Sequence, residues 1–119
     1  MKTLKLYEYS NCSTCKKAFN FLLKNRYSVE RVDIFQNPPS KTDLAKMVKF
    51  QGGNFKKIFN TMGHVYQENG LKDKVATMTE AEAIDLLASN GRLIKRPFLL
   101  LENAGLVGFH ASEWEALLK

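Results

Sequence analysis

A chain of 119 residues has the length of one domain and can bury a core without disulfide or metal staples. Its composition, 45% apolar and 25% charged, excludes disordered and fibrous classes, and the longest apolar run, Phe98–Leu101, falls far short of the ~20 residues that cross a bilayer. The net charge of +6, from 18 basic and 12 acidic residues scattered along the chain, fits a solvated surface or attraction to an anionic ligand or acidic partner; no basic arm, aromatic RNA motif or zinc-finger spacing points to nucleic acid.

The opening MKTLKLYEYS interrupts its apolar residues with Lys5 and Glu8, so it is no signal-peptide core, and a cytoplasmic setting with reduced thiols is expected. Leu4, Leu6 and Tyr7–Tyr9 predict a first strand. After Ser10-Asn11, the residues Cys15, Ala18, Phe19, Leu22 and Leu23 recur at helical spacing to about Asn25. Tyr27–Phe35 alternates loosely as a second strand, stopped by Pro38 and Pro39. Ser40 reads as an N-cap with Asp43 in the first turn, Leu44, Met47 and Val48 mark one helical face, and Gly52-Gly53 ends it.

Phe55, Ile58, Phe59 and Met62 read as another short helical face closed by Gly63. Residues 64–78 are less regular, with turns and one short helix expected. Thr79-Glu80-Ala81-Glu82 is a capping box before Ile84, Leu87 and Ala88, and Asn90-Gly91 ends that helix. Arg96–Glu102 and Leu106–Phe109 read as two strands joined through Asn103-Ala104-Gly105, and Ser112 as the cap of a last helix carrying Trp114, Leu117 and Leu118. The order is β-α-β, a helical block, then β-β-α. That is the thioredoxin-like plan, an α/β (α+β) fold with a mixed four-stranded sheet. Residues 1–119 form one domain in this reading, with a helical insert over about 40–90.

The only two cysteines stand at the junction of the first strand and helix, as Cys12-Ser13-Thr14-Cys15. Three readings are open to them: a redox pair, half of a zinc site, or two small core residues. Zinc lacks ligands, because His64 and His110 have no zinc-motif spacing to the thiols or to each other, and no metal is expected. Both histidines read as surface or structural residues. Cys12 falls at the helix start, where unpaired N–H groups, the helix dipole and the nearby Lys16 and Lys17 favour a thiolate. Cys15 falls on the apolar stripe and faces the core. Thiol redox chemistry, with Cys12 attacking and Cys15 resolving, is the favoured reading.

Three stretches together resemble the arsenate reductase-like family, which includes the Spx-type redox regulators. They are YSNCSTCKKA around the thiols, FQNPPSKTDL after the second strand, and LLASNGRLIKRPFLL, which ends in Arg96-Pro97. The resemblance implies that Cys12 is the nucleophile, that Pro97 is cis beside it, and that Arg96 points into the site to hold an oxyanion or the thiolate. It places Asn60 and His110 where arsenate reductases of the family have two further arginines, so Arg96, Asn60 and Pro97 are the implied substrate contacts. With one arginine of three, a dedicated arsenate reductase is not expected. Cys15 supplies an internal thiol, as in the Spx-type branch. An external thiol such as glutathione, glutaredoxin or thioredoxin is implied as partner to a monomer with no resident cofactor. The alternative is a Spx-type redox switch binding the RNA polymerase alpha subunit. Spx-type proteins carry a longer charged tail than this sequence, which ranks that reading second.

Overall fold

The computed structural model describes residues 3–118. Strand β1 (Thr3–Glu8) leads into helix α1 (Ser13–Lys24) and strand β2 (Ser28–Asp33). Helix α2 (Lys41–Phe50), a 3-10 turn (Phe55–Ile58), α3 (His64–Glu68), α4 (Leu71–Thr77) and α5 (Glu80–Ser89) form the helical insert. A second 3-10 turn (Gly91–Leu93) then precedes β3 (Phe98–Leu100), β4 (Gly105–Val107) and α6 (Ala111–Leu118). The sheet order is β2-β1-β3-β4, with β1 parallel to β2 and the pairs β1–β3 and β3–β4 antiparallel. This is the mixed four-stranded sheet of a thioredoxin-like fold.

The period of two along the strands explains how the sheet is buried on both faces. Leu6 pairs with Leu99, and Leu99 with Leu106; all three lie in one apolar cluster with Ala18, Leu22 and Trp114 of α1 and α6. The next row, Tyr7, Phe98 and Val107, faces the opposite way, into a larger cluster with Leu44, Met47 and Leu87 of the insert. The Tyr7 and Phe98 rings meet edge to face at 5.6 Å. Such a pair contributes about 0.5–1.5 kcal/mol beyond its area. A one-residue slip would exchange the two rows, so both layers fix the register.

Caps set the helix starts. Ser40 Oγ accepts the Asp43 N–H at 3.1 Å, and the Thr79–Glu82 box closes in both directions at 2.9 and 3.2 Å. Three expectations are corrected. Ser112 lies inside α6, which starts at Ala111; the His110 carbonyl accepts the Trp114 N–H at 3.0 Å and opens the helix. Residues 64–78 hold two short helices, joined through Gly70 in the left-handed region at φ 58°.

Phe59 and Met62 do not continue the helical face that begins at Phe55. Phe59 is extended and pairs with Ile94, while Met62 is 83% exposed. The backbone bonds Lys95 N–H to Ile58 O and Asn60 N–H to Leu93 O, both 2.7 Å, hold this pairing, which outcompetes the local helical pattern. Among the described residues, no helix is long and apolar enough to cross a membrane.

Candidate active site

The topology gathers four chain segments at one end of the sheet. The loop after β1 carries Tyr9 and Cys12, and the turn after the parallel β2 places Phe35 beside it. Lys95, Arg96 and Pro97 lead into antiparallel β3 there, and the chain leaves β4 there through Gly108, Phe109 and His110. A cavity of about 390 Å³ at this end is lined by Cys12, Thr14, Asn60, Lys95, Arg96, Gly108, Phe109 and His110.

Cys12 is the N-cap of α1. Its backbone is extended, and its sulfur accepts the Cys15 N–H at 3.3 Å, in the place where a serine or aspartate oxygen would usually sit. Burial alone would push the Cys12 thiol up. The hydrogen bonds from the Cys15 thiol and N–H and the Arg96 guanidinium outweigh burial and hold it below its ordinary value. Lys16 and Lys17, expected to supply positive charge, are exposed, and the cation acting on Cys12 is Arg96. Cys15 is 1% exposed. Burial first, and then its hydrogen bond to Cys12, push its thiol up to about 12. Both cysteines are free thiols.

Aromatic rings hold Arg96. Its guanidinium carbon lies 5.7 Å from the Tyr9 ring centre and 5.1 Å from that of Phe35, and these two rings stack at 4.4 Å. Its Nε is buried without a hydrogen-bond partner among the described residues, a cost of about 1–3 kcal/mol of the kind that collects at functional sites. Arg96→Ala is therefore expected to raise the Cys12 pKa and slow its alkylation at neutral pH several-fold, read by iodoacetamide trapping with the fold checked by circular dichroism. Unchanged kinetics would remove Arg96 from the site.

On the opposite wall, Trp114 is fully buried against Phe21 and Phe109 and donates its indole N–H to the Gly108 carbonyl at 3.1 Å. Gly108 in turn donates to Pro97 O at 2.9 Å. Gly108 has φ 73°, and a Cβ there would stand 2.9 Å from Lys95 Cε, so the residue meets both a left-handed and a close-approach requirement. These contacts fix Phe109 and His110 beside Cys12.

The structure thus brings Cys12, Arg96 and Asn60 into one cavity, with Cys15 directly beneath Cys12 in the core. The Arg96–Pro97 peptide is cis, but Pro97 is buried and does not line the cavity. His110, surface or structural by its spacing but set by the resemblance where arsenate reductases carry a further arginine, lines the cavity of the thiols, and His64 lies in an adjoining groove. Lys95, Thr14 and Phe109 were missed as lining residues. The signal for Lys95 and Phe109 was topological, since residues before β3 and after β4 must fall at the Cys12 end of the sheet. Among the described residues, no group of three His, Cys, Asp or Glu side chains could hold a metal ion.

The sequence profile of the ArsC family matches residues 7–117. The chain belongs to the ArsC family. This ArsC-family protein is 39% identical over 113 residues to YusI of Bacillus subtilis strain 168, covering 95% of this chain and 96% of that one. It is 27% identical over 113 residues to the global transcriptional regulator Spx of Streptococcus pyogenes serotype M3, covering 95% of this chain and 83% of Spx. Among solved structures, an ArsC family related protein from Bacteroides fragilis superposes with a TM-score of 0.89 at 42% identity, covering 96% of each chain. The shared architecture is an arsenate reductase-like thioredoxin fold, here carrying a Cys-x-x-Cys pair.

Proposed function

We propose that this ArsC-family protein is a thiol–disulfide oxidoreductase, with Cys12 as nucleophile, Cys15 as resolving thiol and Arg96 as electrostatic support. The asymmetry of the two thiols carries the reading. Cys12 is partly exposed with a lowered pKa, whereas Cys15 beneath it is buried and still protonated. In the cycle, the Cys12 thiolate attacks one sulfur of a substrate disulfide. That S–S bond breaks, and the departing thiolate takes a proton from solvent. Cys15 then loses its proton and attacks Cys12 Sγ, releasing the second thiol. Two protein thiols give up two electrons and become one disulfide. An external thiol or dithiol protein of the glutathione, glutaredoxin or thioredoxin class would return the protein to its reduced form, and a cytoplasmic setting suits that cycle.

Mild oxidation by peroxide or a small disulfide is expected to remove both thiols together, with the loss of two hydrogen masses in the intact protein. Oxidation of Cys12 while Cys15 stays free would show that the two are not a working couple.

The relation to Spx supports a second reading, a redox switch that binds a transcription component such as the RNA polymerase alpha subunit. Capture of that subunit by this chain in a reductant-dependent manner would favour the switch; a covalently trapped mixed disulfide on the Cys15→Ser variant would favour the enzyme.

A further inference from the structure

The Cys12 cavity continues past Arg96. A second groove of about 230 Å³ adjoins it, lined by Phe35, Gly63, His64, Val65 and Arg92, and the two share Asn60 and Arg96 as a common wall. The Arg92 guanidinium carbon lies 4.5 Å from the centre of the same Phe35 ring that supports Arg96 at 5.1 Å. One ring thus braces two fixed cations.

The backbone that carries Arg92 is itself pinned. Asn90 Oδ1 accepts the Arg92 N–H at 3.0 Å, and Gly91 packs so closely on the end of β2 that a Cβ there would stand 1.8 Å from Ile34 O. Among the described residues, the ion pairs are Arg31–Glu8 and Lys41–Asp85, so neither Arg92 nor Arg96 has a carboxylate partner. Among the described residues, no carboxylate lines either hollow. Two neighbouring guanidiniums without a counter-charge create a positive potential that an anionic group would relieve.

We propose that this groove is a carboxylate subsite for the disulfide that Cys12 attacks, with Arg92 as its specificity-determining residue. The inference deepens the thiol-exchange reading and rests on it. The substrate class is a peptidic disulfide with a free carboxylate several bonds from its sulfur. The sulfur sits at Cys12, the chain passes Asn60, and the carboxylate meets Arg92 in a charge-assisted, fork-like contact while Arg96 serves both hollows. Binding energy from this remote carboxylate positions the sulfur for attack.

Oxidised glutathione and its carboxyl ethyl ester make a matched pair, because their disulfide chemistry is the same and only the carboxylates differ. The reduced protein is expected to react faster with the acid than with the ester. Arg92→Ala should lower the acid-to-ester rate ratio about fivefold, with Arg92→Lys recovering part of it and raised salt erasing the preference. A ratio unchanged by Arg92→Ala would overturn the subsite. If neither disulfide oxidises the protein, the thiol-exchange reading fails, and the subsite is then read by equilibrium binding to the Cys12→Ser protein. There, S-methylglutathione must bind more tightly than its ester, and Arg92→Ala must abolish the difference; equal affinities would overturn the subsite independently of any reaction.

Discussion

Cys12→Ser is expected to reduce disulfide exchange by at least about a thousandfold, because a serine hydroxyl does not ionise near neutrality and cannot replace the thiolate. Cys15→Ser should behave differently. Cys12 can still attack, but no buried thiol is present to release the product, so the protein should accumulate a stable mixed disulfide. Intact mass after a short exposure to oxidised glutathione reads both outcomes. Cys12→Ser should gain no adduct, and Cys15→Ser should gain one that persists until reductant is added. Adducts on Cys12→Ser at the rate of the unmodified protein would mean that Cys15 is the accessible nucleophile, contrary to its 1% exposure.

The second large effect concerns arsenate. A thiolate attacking an oxyanion brings two negative groups together, and fixed cations must offset the repulsion. In the cavity, Arg96 supplies a guanidinium and Lys95 adds a point charge, while Asn60 and His110, which the sequence resemblance sets where arsenate reductases carry two further arginines, line it without a guanidinium. Lys95 makes the deficit smaller than the sequence implied, but an ammonium lacks the planar fork that grips an oxyanion. Arsenate reduction with glutathione and glutaredoxin should therefore be near background. Asn60→Arg combined with His110→Arg should raise it about a hundredfold or more, since each charge-assisted contact contributes about 1.5–3 kcal/mol. Robust turnover by the unmodified protein would show that one guanidinium and a lysine suffice, and would favour an arsenate reductase over the proposed disulfide exchange.

The parts of this site that could be read from sequence are those governed by short-range rules. The Thr79–Glu82 box and the Ser40 cap lie within one turn of the groups they satisfy, and the alternation of Leu6 with Tyr7 and of Phe98 with Leu99 follows from the strand period. The position of Cys12 at the start of α1 was visible for the same reason. What stayed hidden depends on distant partners. Phe59 carries helical spacing but is claimed by Ile94, thirty-five positions away, and that bridge is what brings Asn60 to Lys95. The rings that hold Arg96 come from the segments just after two different strands. His64 and His110 gave no signal in their spacing to the cysteines, because the start of α3 and the turn after β4 that carry them are positioned by Gly63 leaving room for Asn60 and by the Trp114–Gly108 hydrogen bond. Ser112 was a sound cap residue standing two positions too late, since the His110 carbonyl already opens the helix.

The difference in acidity between the two thiols is the central claim, and alkylation of the reduced protein followed across pH by peptide mass tests it most directly. Cys12 should react first at every pH near neutrality, and its rate should reach a plateau below the pH expected for an ordinary thiol of about 8.5, because its ionised form is already favoured. Cys15 should remain largely unmodified until the solution is strongly alkaline, in keeping with a thiol pushed up to about 12. Equal rates for the two, or a faster Cys15, would contradict the account.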